Sequence, residues 1–435
     1  MRRHRVAAMG LAGTLLAASV AIGGPTVAQS PSPTPAPTPQ PGQTELNFTV
    51  FGDMGLDELV AQYQKDHPDI FINFIQAGYQ EHHDQLLTQL ATGDVPDIAA
   101  IEVGFMSKFK AQPENFKNLY DYGAKDIEGN YLPWRWEQAV SADGSSVIGI
   151  PTDVGGMALC YRTDLFKAAG LPTDPAAVSA LWPTWDDFIK TGQAYVTGSG
   201  GKKFIDSAQG TIFNLVARQG NEEYYKTNDP LTTVYDTNPQ VKLAWDLAVK
   251  ASQAGISANI PQFAAPWNAA MSGDAFAALG CPAWMMGYIQ SQAPSTAGNW
   301  NIAAIPGAAG NWGGTHLTIP AAAAHPKEAW DFINWALSPE NQLEVFKLHG
   351  NFPSTPALYS TPHIQDFTNP FFSNAPVGKI YAASAEAVKP IFEGVNQREI
   401  DVAFGNGLGR IEDGKQTPDE SWAQVMTEAQ LATQQ

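Results

Sequence analysis

The chain has 435 residues, of which 44% are hydrophobic and 16% charged, and its net charge is −18 at pH 7. This length and composition suit two folded domains and exclude an intrinsically disordered protein. The negative charge opposes contact with phosphate backbones and anionic membranes, so we expect no nucleic-acid partner.

The first 28 residues have the pattern of a secretory signal peptide. Three arginines stand within the first five residues, an apolar run extends to about Gly23, and Thr26–Ala28 offers a small-residue cleavage site. Removing residues 1–28 takes away three arginines and no acid, which moves the net charge from −18 to −21. A retained membrane anchor is the alternative, and the short run rich in alanine and glycine disfavours it.

These features predict a secreted protein, placed in a periplasm or released outside the cell. No cysteine lies near the cleavage site, so no lipid attachment is expected there. Residues 29–44 read QSPSPTPAPTPQPGQT, and alternating proline predicts an extended linker that cannot pack a core.

Strand and helix patterns alternate from about Glu45 onward. Strands are predicted at 46–51, 70–75 and 98–101, with helices at 56–63 and 82–92 between them. Such alternation is typical of a parallel sheet with helices on both faces. Gly93 is positioned to end the second helix.

A second α/β region begins near Gly149. Strands are predicted at 157–161, 275–279 and 301–305. Late in the chain, residues 327–337 and 339–349 form two strong helical patterns. Ser338 stands at the N-cap of the later helix and Gly350 at its end.

Polar side chains follow the predicted strands of the first region. Asp53 follows the first strand, Tyr79 and Glu81 lie in the turn after the second, and Glu102 follows the third. Ligands of open parallel sheets bind beyond the carboxyl ends of the strands, so we predict that these residues contact a ligand. The alternatives are an N-cap role for Asp53 and a solvated loop position for Glu102.

Twelve tryptophans divide into two groups. Those on amphipathic helices, at 185, 245, 330 and 335, are predicted to pack the core. Others lie in loops or at strand ends beside Gly, Pro or Asn, and there a large apolar ring needs another role. Trp267, Trp284 and Trp312 are among these, and their rings are candidates for contact with a ligand.

The chain shows no pattern that argues for catalysis, a metal site or a cofactor. His82 and His83 are adjacent on a helix and point in different directions, so a solvated helix start is expected rather than a metal site. The loop Gly198–Gly201 lacks the spacing of a phosphate-binding loop, and no nucleophile elbow occurs.

Several short motifs occur together in a fixed order. They are Gly93-Asp-Val-Pro-Asp-Ile98, Gly149-Ile-Pro151, Leu159-Cys-Tyr-Arg-Thr-Asp-Leu-Phe166, Ala270-Met271 leading to Trp284, and Gly313-Gly314. In this order the chain resembles the extracellular solute-binding proteins of carbohydrate importers, the broad group that includes maltose-binding protein. The resemblance covers most of residues 45–360.

The resemblance implies an α/β fold of two lobes, each a mostly parallel sheet flanked by helices. One lobe would hold residues 45–153 and 318–352, and the other 154–317 and 353–435. About three hinge crossings would join them, near 150–156, 313–320 and 350–356. Glycine pairs at two of these crossings fit a hinge, because small residues absorb dihedral change at low cost.

The same resemblance implies the substrate-binding subunit of an ABC transporter. It would be a monomer that captures a sugar or oligosaccharide between its lobes and delivers it to a membrane permease. Trp284 matches the stacking position of the family, and Asp153 lies at the first crossing. Cys160 departs from the family motif, and its place in the same lobe as Cys281 supports a disulfide; two free thiols are the alternative.

Two other functions remain open at this stage. One is a binding protein of the same fold for a different cargo, such as a polyamine, because tryptophans beside acids also suit a cation. The other is a secreted glycoside hydrolase, which would need two carboxylates across a scissile bond.

Overall fold

The computed structural model describes residues 38–227 and 229–434. The predicted signal peptide, residues 1–28, lies outside these residues, as does the predicted linker up to residue 37. Residues 39–435 form one compact unit.

Two sheets organise the described chain. The first has five strands in the order β2-β1-β3-β10-β4, and the second has three in the order β8-β5-β9; β6 and β7 form a separate hairpin. The strands are β1 Thr44–Phe51, β2 Ile70–Ala77, β3 Ile98–Glu102, β4 Gly149–Pro151, β5 Met157–Arg162, β6 Tyr225–Lys226, β7 Asp229–Thr233, β8 Ala278–Pro282, β9 Trp300–Ala303 and β10 Thr315–Thr318.

Helices cover both sheets and fill the connections. In chain order they are α1 Asp57–Asp66, α2 Tyr79–Thr92, α3 Val103–Lys110, α4 Ala124–Ile127, α5 Pro133–Glu137, α6 Thr163–Ala168, α7 Pro175–Ser179, α8 Trp185–Gly198, α9 Asn214–Ala217, α10 Pro239–Gln253, α11 Ala265–Ser272, α12 Met285–Gln292, α13 Pro326–Ala336, α14 Pro339–His349, α15 Pro362–Gln365, α16 Val377–Glu386, α17 Gln397–Glu412 and α18 Pro418–Ala432. A π-helical segment, Ala208–Phe213, precedes α9.

Local sequence signals explain where several of these elements begin and end. The predicted caps of α14 are confirmed, since the Ser338 hydroxyl accepts the backbone N–H of Asn341 at 3.3 Å and Gly350 ends the helix in the left-handed conformation. In β1, Leu46, Phe48 and Val50 are fully buried at every second position, which fixes the register of the strand.

The structure confirms the predicted α/β class with two sheets, and the strand directions of the second sheet differ from the prediction. In the first sheet β1 runs parallel to both β2 and β3, whereas β10 is antiparallel to β3 and β4. In the second sheet β5 is antiparallel to both neighbours. The chain enters β5 directly from β4 of the first sheet. β8 and β9 are joined through helix α12 and lie on either side of β5, so both run in the direction opposite to β5.

Separate cores surround the two sheets. We call the residues around the five-stranded sheet the first lobe and those around the three-stranded sheet the second lobe. The chain passes from β4 to β5 through residues 152–156, from β9 to β10 through 304–314, and again after α14. The lobe boundaries written from the sequence stay a prediction.

Two of these crossings touch at Gly155. The backbone N–H of Trp312 donates to the Gly155 carbonyl oxygen at 2.8 Å. A β-carbon at Gly155 would lie 1.9 Å from the Trp312 carbonyl oxygen, so only glycine permits this contact.

Cys160 on β5 and Cys281 on β8 form a disulfide, with their Cα atoms 5.3 Å apart. The two strands are neighbours in the second sheet, and both cysteines are fully buried. The bond therefore joins two strands that are 121 residues apart in sequence.

We expect a Cys160→Ala/Cys281→Ala variant to lose about 2–4 kcal/mol of unfolding free energy, because opening the long loop raises the entropy of the unfolded chain. Urea unfolding checks this, with the wild-type protein under reducing conditions as the control. Equal unfolding midpoints for the variant and the oxidised wild type would contradict it.

Candidate functional site

The candidate site lies where the crossing before β10 runs between the two lobes. A β-carbon placed on Gly313, in this crossing, would lie 3.1 Å from Nε1 of Trp284 and 3.7 Å from Oε1 of Glu102. Trp284 belongs to the second lobe and Glu102 to the first. An aromatic ring and a carboxylate from opposite lobes therefore converge at one point beside the hinge.

Glu102 is the last residue of β3 and the N-cap of α3. Its Oε2 accepts the backbone N–H of Gly104 at 2.8 Å and the hydroxyl of Tyr79 at 2.7 Å. Burial raises the pKa of Glu102, and these two hydrogen bonds oppose that shift. Because both bonds use Oε2, Oε1 keeps its lone pairs for another partner on the side of Trp284.

Tyr79 is the first residue of α2, and its hydroxyl donates the hydrogen bond to Glu102 described above. Burial and the neighbouring Glu102 raise the pKa of Tyr79 well above its ordinary value, so its hydroxyl keeps the proton that it donates. The guanidinium of Arg398, from the second lobe, lies 5.5 Å from the centre of the Tyr79 ring. Tyr79 is thus a contact point between the lobes.

An aromatic group lies on the second-lobe side. Trp284 is partly exposed, and its Nε1 donates to the Trp312 carbonyl oxygen at 2.8 Å, which orients the indole. The ring of Trp312 meets it edge-on at 5.7 Å, and the ring of Phe263 lies 6.1 Å away. Phe263 is 51% exposed and has a φ of +64°. A bulky residue with such a φ is strained, and strain of this kind concentrates at ligand sites.

The loop between α16 and α17 brings a second carboxylate to the site. A β-carbon placed on Gly104 would lie 3.0 Å from Oε2 of Glu102, 3.8 Å from the Tyr79 hydroxyl and 3.9 Å from Oε2 of Glu393. This Glu393 oxygen is buried and has no hydrogen-bond partner among the described residues. Burial and the facing Glu102 raise the pKa of Glu393 well above its ordinary value.

Further charged groups stand behind Glu393. Arg218 is 7% exposed and lies 3.3 Å from Glu223 and 3.2 Å from Asp401. Burial raises the pKa of Glu223 to about 7, against the opposing effect of Arg218. Although burial disfavours its charge, the carboxylates of Glu223 and Asp401 raise the pKa of Arg218. The second lobe therefore presents a fixed set of acids and arginines to the site.

Four of the residues predicted from sequence meet here, namely Tyr79, Glu102, Trp284 and Trp312. Asp53 is exposed in the turn after β1, and its Oδ1 accepts the N–H of Gly55 at 2.9 Å. Glu81 is exposed on α2, where its Oε1 accepts a hydrogen bond from Gln85 at 3.0 Å. Their contact with a ligand stays a prediction.

Asp153 and Trp267 are buried, and for them too contact with a ligand stays a prediction. Asp153 is 4% exposed, and it accepts the Thr315 backbone N–H at 3.1 Å beside the buried Arg135. Trp267 is fully buried on α11, where its Nε1 donates to Asp206 at 2.9 Å. The sequence placed Trp267 in a loop, but a helix with Pro266 in its first turn begins at Ala265, and the buried Asp206 accepts a hydrogen bond that holds the indole in the core. In both cases the observed hydrogen bonds are to other residues of the protein.

Phe263 and Glu393 belong to the site and were not predicted from the sequence. A phenylalanine in the turn just before α11 carries no distinctive signal. Glu393 contacts the first lobe at Ser107, which is 286 residues away in sequence. The nearby Arg398, in the first turn of α17, lies 5.5 Å from the centre of the Tyr79 ring. His82 and His83 were expected in solvent and are instead 3% and 0% exposed.

A family model described as bacterial extracellular solute-binding protein matches residues 58–371. This span is well over half of the chain, and the chain therefore belongs to the bacterial extracellular solute-binding proteins. Within the described residues, no helix has the length and apolar character needed to cross a bilayer.

Individual relatives agree with this family. The lactose-binding protein of Rhizobium radiobacter is 28% identical over 291 residues, which span 64% of this chain and 66% of that protein. A crystal structure of an extracellular solute-binding protein family 1 is 36% identical, with a TM-score of 0.77 over 89% of this chain and 99% of that one. A binding protein associated with an ABC transporter of B. animalis subsp. lactis, solved with beta-1,6-galactobiose, shares the fold at 21% identity, with a TM-score of 0.76 over 88% of this chain and 96% of that one.

The contacts between α3 and α17 predict how the two lobes are held together. Lys108 forms an ion pair with Glu399, and the Ser107 hydroxyl donates to the Glu393 carbonyl oxygen. Lys108→Glu places two acids together, so we expect separated lobes and a larger radius of gyration in small-angle X-ray scattering.

The double swap Lys108→Glu/Glu399→Lys should restore the wild-type scattering curve. Lys190→Glu is the matched control, because its partner Asp187 lies one turn away on the same helix. If Lys108→Glu and Lys190→Glu scatter alike, the ion pair does not hold the lobes together.

Proposed function

We propose that this protein captures a sugar or oligosaccharide between its lobes and delivers it to the permease of an ABC transporter. The observation that carries the proposal is the convergence of the Trp284 indole and the free Oε1 of Glu102 beside Gly313, from opposite lobes. A sugar ring has an apolar C–H face that suits an indole and hydroxyl groups that donate to a carboxylate.

The charged groups around this point favour a neutral polyhydroxyl ligand. Oε2 of Glu393 is a buried carboxyl oxygen and Nε of Arg398 is a buried donor, and neither has a hydrogen-bond partner among the described residues. Leaving such groups unpaired costs free energy, and hydroxyl groups can satisfy both because they donate and accept. A ligand that lacks these hydroxyls would therefore bind much more weakly.

Phe263 extends the aromatic surface beyond Trp284. Its exposed ring stands at a moderate angle of 31° to the Trp284 ring, so the two faces can line one side of an elongated ligand. This arrangement supports a ligand of at least two rings. The name of the lactose-binding relative points to the same class, and we propose a disaccharide as the smallest cargo.

The remaining parts of the proposal concern the setting in which the protein works. We propose that it is exported through residues 1–28, remains free of a lipid anchor, acts as a monomer and performs no chemistry on its cargo. The site in one chain draws on both lobes, so no second copy is needed to complete it.

We expect Glu102→Gln to weaken lactose binding about 10- to 100-fold, because a neutral amide with one acceptor oxygen replaces a carboxyl group whose second oxygen faces the ligand. Isothermal titration calorimetry measures this, with Asp84→Asn, an exposed acid on the same helix α2, as the matched control. Equal losses for both variants would show that Glu102 does not contact the sugar.

A second set of titrations tests the aromatic contact and the class of ligand. Trp284→Ala should lose at least about tenfold in lactose affinity through the loss of ring stacking. Trp422→Ala, which removes a partly exposed tryptophan on α18, should not. Tighter binding of spermidine than of lactose would favour the polyamine alternative, and cleavage of lactose during incubation would favour a hydrolase.

A further inference from the structure

His83 lies on α2, one turn after Tyr79, and is fully buried. Its Nδ1 is 2.7 Å from the Tyr79 carbonyl oxygen, and its Nε2 is 3.1 Å from the backbone nitrogen of Glu102. The imidazole also stacks on the ring of Phe105 at 3.9 Å, with an angle of 7° between the planes. The ring therefore bridges the first turn of α2 and the end of β3.

These partners fix the protonation state of His83. The Tyr79 carbonyl oxygen can only accept, so Nδ1 must carry the proton. The Glu102 backbone N–H can only donate, so Nε2 must be unprotonated. Burial lowers the pKa of His83 to about 3, which keeps the imidazole neutral at any physiological pH.

Three hydrogen bonds close a ring through the site. His83 links the backbone of Tyr79 to the backbone of Glu102, and the side chains of the same two residues bond each other at 2.7 Å. We propose that His83 is a positioning residue, which holds Tyr79 and Glu102 in register so that Oε1 of Glu102 faces the cargo. This inference rests on the proposed function of Glu102.

The neighbouring His82 provides a matched control within the same helix. It is 3% exposed, and its Nε2 lies 2.6 Å from the carbonyl oxygen of Ala100, inside β3. That oxygen can only accept, so Nε2 of His82 carries the proton. The proton is therefore on Nε2 in His82 and on Nδ1 in His83. Of these two histidines, His83 is the one that accepts a hydrogen bond from Glu102.

Three variants separate positioning from general stability, with lactose as the probe. His83→Phe keeps the stack on Phe105 and leaves the Glu102 N–H without its acceptor, so lactose affinity should fall about tenfold. His83→Gln returns an acceptor oxygen and should recover most of that loss. His82→Phe should lower the melting temperature while affinity stays within about twofold of wild type.

A readout that needs no ligand accompanies the titrations. Hydrogen exchange of the Glu102 amide should be faster in His83→Phe and slow again in His83→Gln, and NMR of ¹⁵N-labelled imidazoles should show Nδ1–H for His83 and Nε2–H for His82. The inference is overturned if Glu102→Gln weakens lactose binding while His83→Phe does not, or if His83 carries its proton on Nε2. Failure of Glu102→Gln to weaken binding would instead overturn the proposed function, and the exchange and tautomer results would still decide the role of His83.

Discussion

The close contact of the chain crossings is the constraint on which the site depends. Gly155 and Trp312 share a backbone hydrogen bond at a distance that excludes a side chain. The buried Arg135 adds to this contact, because it donates to the carbonyl oxygens of Asp153 and Thr315 at 3.0 Å each. The segments that carry Gly313 and Trp312 are therefore fixed relative to both sheets, and with them the point at which Trp284 and Glu102 meet.

Around this fixed point the two lobes contribute different chemistry. The first lobe supplies a single carboxylate whose geometry is set by Tyr79, Gly104 and His83. The second lobe supplies aromatic faces and a cluster of paired acids and arginines. Buried charges of this kind are tolerated only when they are paired, and Arg218 is held between two carboxylates accordingly.

The sequence predicted features of the fold and site that depend on local patterns. The strands of the first sheet follow from their apolar spacing, and Glu102 follows from the rule that ligands gather at the carboxyl ends of such strands. Contacts between residues far apart in sequence could not be predicted. Nothing near Glu393 in sequence indicates that it faces Glu102, and the antiparallel second sheet depends on the direction in which β5 leaves the first.

The burial of His82 and His83 also could not be predicted from local sequence. His82 and His83 sit among polar neighbours in sequence, so a solvated helix start was expected, yet the helix turns both rings toward β3. Trp267 is a second example. Its sequence neighbours are typical of a loop, but its indole is buried because it donates to Asp206, 61 residues away in sequence. In each case a partner remote in sequence decides whether the side chain faces solvent or the interior.

The facing pair of Glu102 and Glu393 has a consequence for selectivity. Burial and the facing Glu102 raise the pKa of Glu393 well above its ordinary value, so bringing the two acids together favours the protonated form of Glu393 over a second negative charge. Closing the lobes without a ligand therefore leaves a buried carboxyl oxygen of Glu393 without a partner in the described part of the chain, and a ligand hydroxyl can offset this cost because it both donates and accepts hydrogen bonds. Selectivity for one ligand over another would then depend on closure of the lobes as well as on initial binding.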